Sequence, residues 1–257
     1  MKHIPRKRFG QNFLTDQLVL GDIARVINPQ QEQTMVEIGP GLAAMTKLLL
    51  EGLDQLHVVE LDRDLVARLK KDFDPARLIV HDGDALQFDF ATIPVAPGKK
   101  LRVVGNLPYN ISSPLLFHLA EIAALVEDQH FMLQKEVVER MVAEPGGKAY
   151  GRLSVMLQWR YHMELLFVVP PTAFDPPPKV ESAIVRMIPK AERLACDVKK
   201  LEQVVTKAFS QRRKVVRNCV AGMFSEQQLI DVGINPQMRP ETIALEQYVA
   251  LARLLTD

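Results

Sequence analysis

The sequence predicts an α/β fold: a mostly parallel sheet covered by helices on both faces, closing on an antiparallel strand, with a small all-helical C-terminal domain behind it. Three observations predict it. Between residues 35 and 142 short apolar runs alternate with amphipathic helical stretches, the signature of repeated βα units. Two later apolar runs have only a Pro-rich loop between them, so they pair without a crossover helix. Beyond residue 200 every apolar stripe has helical spacing.

Taken in order, residues 1–34 read as a lead-in with one helix over about 16–27, capped by Thr15 or Asp16 and followed by Pro29. Residues 35–39 form the first strand and 44–51 a helix. Residues 57–61 are the second strand, and 63–73 a helix facing inward through Leu65, Val66 and Leu69. Strands three and four are 78–81 and 101–105; a helix over 114–124 leads to a fifth strand at 130–133. Helices over 136–142 and 153–159 precede strands at 163–169 and 180–188, a closing antiparallel hairpin around the stiff 170–178 loop. The charged stretch 189–200 marks a linker, giving domains 1–189 and 190–257. In the second, Leu201, Val204, Val205, Ala208 and Phe209 share a face. Ser225 and Gln228 form a capping box ahead of Leu229 and Ile230, and a last stripe runs from Leu245 to Leu255.

Of 257 residues 47% are hydrophobic and 25% charged, enough to build a core without disulfide or metal staples. Cys196 and Cys219 have no redox or metal spacing and the six histidines are scattered, so no metal is expected. No apolar region follows the basic start, and no run approaches the roughly 18 apolar residues of a membrane helix. The expectation is a cytoplasmic monomer with no membrane partner. Net charge is only +1, but positive charge clumps at Lys2, Arg6, Lys7 and Arg8 and again at Arg212, Arg213, Lys214 and Arg217. Each clump is either a local anion-binding face or a solvated surface.

Chemistry-bearing residues gather at strand ends. The first strand runs into Gly39-Pro40-Gly41, a turn that lets a ligand approach backbone ahead of a helix. Glu60 closes the second strand 19 residues beyond Gly41, the spacing at which an acid takes ribose hydroxyls; its alternative is a helix-start acid, as for Asp62 and Asp64. Asp82 and Asp84 follow the third strand, and either could accept from an adenine amino group. Asn106-Leu107-Pro108-Tyr109 follows the fourth. There the Asn106 oxygen and a main-chain carbonyl can take both hydrogens of a base amine, localising its lone pair, while Tyr109 stacks on the ring. The third glycine of a dinucleotide fingerprint is missing, with Ala43 and Ala44 in its neighbourhood, and no basic residue stands nearby for phosphate. A nucleoside cofactor without phosphate, S-adenosylmethionine, fits better.

With these residues in view, the chain resembles the ribosomal RNA adenine N6-dimethyltransferase family along essentially its whole length. The resemblance is carried by Gly10-Gln11-Asn12-Phe13-Leu14, by residues 36–42, by Val59-Glu60-Leu61-Asp62 and by Asp84-Ala85. It continues in Asn106-Leu107-Pro108-Tyr109, the 170–183 segment, and Phe209-Ser210-Gln211-Arg212-Arg213-Lys214 with Arg217-Asn218. Ala43 departs from the glycine frequent in the family at its position. The resemblance implies a Rossmann-like S-adenosylmethionine-dependent methyltransferase sheet, with cofactor contacts at Asn12, Leu14, Gly39, Glu60, Asp84 and Asn106. It also implies that Phe174 holds the target base opposite Tyr109. Two methyl groups would go to each of two adjacent adenosines near the 3′ end of small-subunit RNA, within an assembling 30S particle. The basic motif, with Arg6, Lys7 and Arg8, would contact phosphates.

Overall fold

The computed structural model describes residues 12–211 and 213–255. The expected phosphate contacts at Arg6, Lys7, Arg8 and Arg212 lie outside them.

The first elements of the described residues are β1 (Phe13–Leu14) and α1 (Gln17–Ile27), which Asp16 caps by accepting from the amides of Leu18 and Val19. Then come β2 (Thr34–Ile38), α2 (Ala44–Gly52), β3 (Leu56–Glu60), α3 (Arg63–Asp72), β4 (Leu78–Asp82), β5 (Leu101–Asn106), α4 (Ser112–Glu121) and β6 (Val126–Gln134). Helices α5 (Lys135–Val142) and α6 (Arg152–Arg160) follow, then β7 (Tyr161–Val169), β8 (Phe174–Asp175) and β9 (Ser182–Pro189).

Seven strands form one sheet in the order β4-β3-β2-β5-β6-β9-β7. Neighbours from β4 to β6 are parallel, and β9 inserts antiparallel to β6, with Phe131 opposite Val185 and Gln134 opposite Ser182. The order reverses at β2, so the loops after β2 and β5 part on either side of a crevice, the place where open α/β sheets bind ligands. All five residues of β3 are buried, as expected for a parallel strand covered on both faces. Helix α1 lays Leu20, Ile23 and Ile27 into the cluster that holds Met35, Val104, Met132 and Ile184.

Early in β5, and so away from that crevice, Arg102 and Asp128 form an ion pair with an N–O distance of 2.8 Å, both side chains 6% exposed. The guanidinium also donates to the carbonyls of Ile27 and Asn28 and to the Gln33 side chain. A buried charge needs this full set of partners, and the set fixes the end of α1 to the base of β5 and β6.

Three expectations are corrected. The lead-in is not bare up to α1: β1 pairs with β8, Phe13 opposite Asp175 and Leu14 opposite Phe174, so the Pro-rich loop contributes strand residues after all. The proline rings leave Phe174 and Asp175 themselves free to bridge. The expected hairpin strands are sheet neighbours, with β9 next to β7.

The third difference concerns the division of the chain. Its contacts separate one unit, of residues up to Val138 with Glu164–Pro189, from a second, Glu139–Met163 with the residues from Lys190 onward. The expected boundary at 189 and 190 thus misses an excursion, 139–163, that packs with the later helices. Nor is 189–200 a loose linker. The Lys190 amide donates to the Arg160 carbonyl, and the Trp159 indole donates to the Leu194 carbonyl. In this second unit α7 (Val198–Ala208), α8 (Val216–Cys219), α9 (Glu226–Asp231) and α10 (Leu245–Leu254) follow. Helix α7 packs on α10 and α6. The Ser225–Gln228 capping box is formed in both directions.

Candidate active site

A cavity of about 400 Å³ opens at the switch point, its described lining residues all in the first unit. Each wall follows from a strand end. After β2, Gly39 and Gly41 take φ of +67° and +57°, a region open to glycine at no steric cost. A Cβ on Gly41 would stand 3.1 Å from the Phe13 ring. Ala43 also adopts a left-handed conformation, φ +65°, as the residue before α2. Its methyl is buried and leaves the loop intact, although a glycine would hold this conformation more easily.

Glu60, at the end of β3, is 7% exposed. One carboxylate oxygen accepts from the Gly41 amide at 3.3 Å, and the other from the Asp62 amide at 2.9 Å. Burial pushes its pKa up, and those backbone donors pull against the shift. A carboxylate offers about four lone-pair sites, more than these backbone donors and that of Leu61 fill, so the group can still accept from a hydroxyl. Asp62 caps α3 by accepting from the Asp64 amide, in keeping with its reading as a helix-start acid. Of the two acids after β4, Asp84 lines the cavity and Asp82 is exposed and does not; Asp84 is steadied by the Leu86 amide at 2.9 Å.

Asn106 ends β5. Its amide nitrogen donates to the Asn12 carbonyl at 3.2 Å, so the amide oxygen is the acceptor it offers to the cavity. The Leu107 amide donates to Met132 across the β6 edge. Tyr109 is half-buried, with its hydroxyl 2.7 Å from Ser182 Oγ. Asn12 and Leu14 line the cavity from the β1 side, where the Thr15 amide and hydroxyl both reach the Ala173 carbonyl.

Phe174 is not brought to this cavity. Pairing of β8 with β1 turns its ring into the apolar cluster around Leu14, Leu20 and Ile23, where it is 4% exposed. The sandwich of Tyr109 and Phe174 around a base is therefore not formed in this structure. In the second unit Arg213 and Lys214 are exposed, whereas the Arg217 guanidinium is 3.1 Å from the Glu226 carboxylate.

Residues without an assigned role in the sequence reading also line the cavity. Glu37 is one: it is 3% exposed and accepts from the Thr46 hydroxyl at 2.6 Å. Burial above all pushes its pKa up to about 7, the Thr46 bond opposing and the neighbouring Glu60 charge adding. The signal was present as a lone acid within the apolar run of β2. Gly105 is another, since a Cβ there would meet the Ile38 carbonyl at 2.7 Å.

Among the described lining residues there is no lysine or arginine, while Glu37, Glu60 and Asp84 supply three carboxyl groups. That set suits a ligand without phosphate that carries a positive centre, and a 400 Å³ cleft is of ordinary size for one small molecule. Fold and site together define an S-adenosylmethionine-dependent methyltransferase. Over residues 2–257 the sequence matches the ribosomal RNA adenine dimethylase family. The chain belongs to this family and is an S-adenosylmethionine-dependent enzyme that dimethylates adenines of ribosomal RNA.

It is 80% identical to the ribosomal RNA small subunit methyltransferase A of Janthinobacterium sp. (strain Marseille), over 99% of this chain and 100% of that one. It is 79% identical to the protein of the same name from Herminiimonas arsenicoxydans, with the same coverage. The solved dimethyladenosine transferase from Plasmodium falciparum, 24% identical, superposes with a TM-score of 0.80 over 93% of this chain and 95% of that one, which shows the shared fold.

Proposed function

We propose that the chain dimethylates two adjacent adenosines near the 3′ end of small-subunit ribosomal RNA, on an assembling subunit in the cytoplasm. The observation that carries the chemistry is the tether of Asn106. The nitrogen donates to the Asn12 carbonyl and so orients the side chain, whose oxygen is the atom able to accept from an amine. That oxygen and the Leu107 carbonyl accept the two hydrogens of an adenine amino group and localise its lone pair, with Tyr109 against the ring face. Stacking of this kind contributes on the order of 1–3 kcal/mol per base, and the adenosine must leave its stack to reach it.

When bound, S-adenosylmethionine supplies an electrophilic methyl group. Glu60 accepts from a ribose hydroxyl and Asp84 from the adenine amine of the cofactor, Gly39 and Gly41 admit it closely, and Asn12 and Leu14 cover it. The methylated nitrogen is strongly acidic and loses its proton to water, so no strong general base is required. The relatives named for small-subunit methylation support the choice of RNA. A cavity whose described lining comes from one unit of a single chain supports action as a monomer. Arg213 and Lys214 contact phosphates and position the RNA without reading its sequence.

Transfer of labelled methyl groups to immature small subunits, followed by nucleoside analysis, tests the reading. The expected product is N6,N6-dimethyladenosine, and Asn106→Ala is expected to lower the rate at least about a hundredfold, within the range lost with one positioned polar group, while still binding cofactor. An unchanged rate in that variant contradicts the assignment.

A further inference from the structure

We propose that Ser182 is a positioning residue for methyl transfer: its hydroxyl tethers the far end of the Tyr109 side chain and so fixes the direction in which the ring extends beside the cavity. This rests on the reading that Tyr109 stacks on the target base.

The two ends of the contact differ in stiffness. Ser182 opens β9, is fully buried, and sits in register with Gln134 of β6. Its neighbour Glu181 doubles the attachment: the Glu181 carbonyl accepts from the Lys135 amide at 3.0 Å and its carboxylate lies 2.8 Å from Lys135 Nζ. Tyr109 stands on a turn and is only half-buried. The turn is closed by the Ile111 amide on the Pro108 carbonyl and by the Ser112 hydroxyl on the Tyr109 carbonyl at 2.9 Å. These contacts fix the Tyr109 backbone and leave its two side-chain torsions free. A hydroxyl–hydroxyl distance of 2.7 Å to a rigid strand end is a full hydrogen bond, and it holds the first of those torsions, setting where the ring axis points.

Packing alone gives no reason for a hydroxyl at Ser182. The residues after it, Ala183, Ile184 and Val185, are apolar and fully buried or nearly so. A buried hydroxyl is unfavourable unless it is paired, and here the pair is the phenol. Burial holds that phenol protonated, with the Ser182 contact acting against the shift, so either oxygen can donate.

The test compares Ser182→Ala, Tyr109→Phe, the double variant and Tyr109→Ala in methyl transfer to immature small subunits, with cofactor affinity by titration. Loss of one ordinary hydrogen bond corresponds to roughly a fivefold to tenfold effect. Ser182→Ala and Tyr109→Phe are each expected to lower kcat by that factor with cofactor Kd unchanged within about twofold, and the double variant is expected to fall no further than either single one. Unchanged kcat in Tyr109→Phe, or losses that multiply in the double variant, overturns the proposal. Tyr109→Phe removes the same bond without altering the buried strand, so it decides alone if Ser182→Ala does not fold. Tyr109→Ala separates the two ideas. If it transfers methyl groups normally, the stacking reading itself fails; if it is inactive while Tyr109→Phe is fully active, only the tether fails.

Discussion

Glu37 shows how a single side chain records its surroundings. In the unfolded chain its carboxyl titrates near 4.5; in the fold, burial raises that to about 7. Below pH 4.5 both states hold the proton and nothing is lost. Between 4.5 and 7 the unfolded chain gives up its proton while the folded one keeps it, so stability falls as pH rises through this window and levels off above it. The difference corresponds to about 3 kcal/mol. Glu37→Gln keeps a side-chain oxygen for the Thr46 hydroxyl and removes the charge. The expected outcome in thermal melts is a higher midpoint than the parent at pH 8 and nearly the same midpoint at pH 4. The sequence displayed this acid inside an apolar strand without saying that it faced a cavity. Glu60, Asp84 and Asn106 were legible because their spacing after strands carries information. Phe174 misled because motif position says nothing about which way a ring turns, and a two-residue bridge turned it inward.

At the level of elements, periodicity did most of the work. Strands β2 to β5 and helices α1 to α3 are where alternation and caps placed them, because each buries enough apolar surface to impose its own period. Strands β1 and β8 were invisible for a physical reason: two residues have no period, and the partner lies some 160 positions away. Gly105 belongs to the same scale, since it sets how closely β5 approaches β2. With the Ile38 carbonyl 2.7 Å from a prospective Cβ, Gly105→Ala must push the two strands apart beneath the crevice. Overpacking of this sort destabilises by about 1–3 kcal/mol. Denaturant unfolding is expected to show a loss of that size, with weaker cofactor binding in the same variant.

For the molecule as a whole, the charge pattern says more than the net charge of +1. Arg213 and Lys214 are exposed, and Arg217 is already matched by Glu226. Replacing the first two with alanine is expected to weaken RNA binding and to flatten the slope of log affinity against log salt by roughly 1–2. Arg217→Ala is expected to change the slope less. Binding isotherms over a salt series measure both. The division into two units was only partly legible, because the excursion over 139–163 carries no shift in composition and α6 reads like any other helix. The ribbon of β1 with β8 has a consequence for the order of assembly. Synthesis proceeds from the N-terminus, so a growing chain possesses its glycine turn, Glu60, Asp84 and Asn106 well before Ala173 to Asp175 exist. Residues Asn12 to Leu14, although made earlier still, stay without their docking edge until the late loop emerges, so this side of the pocket cannot close before then.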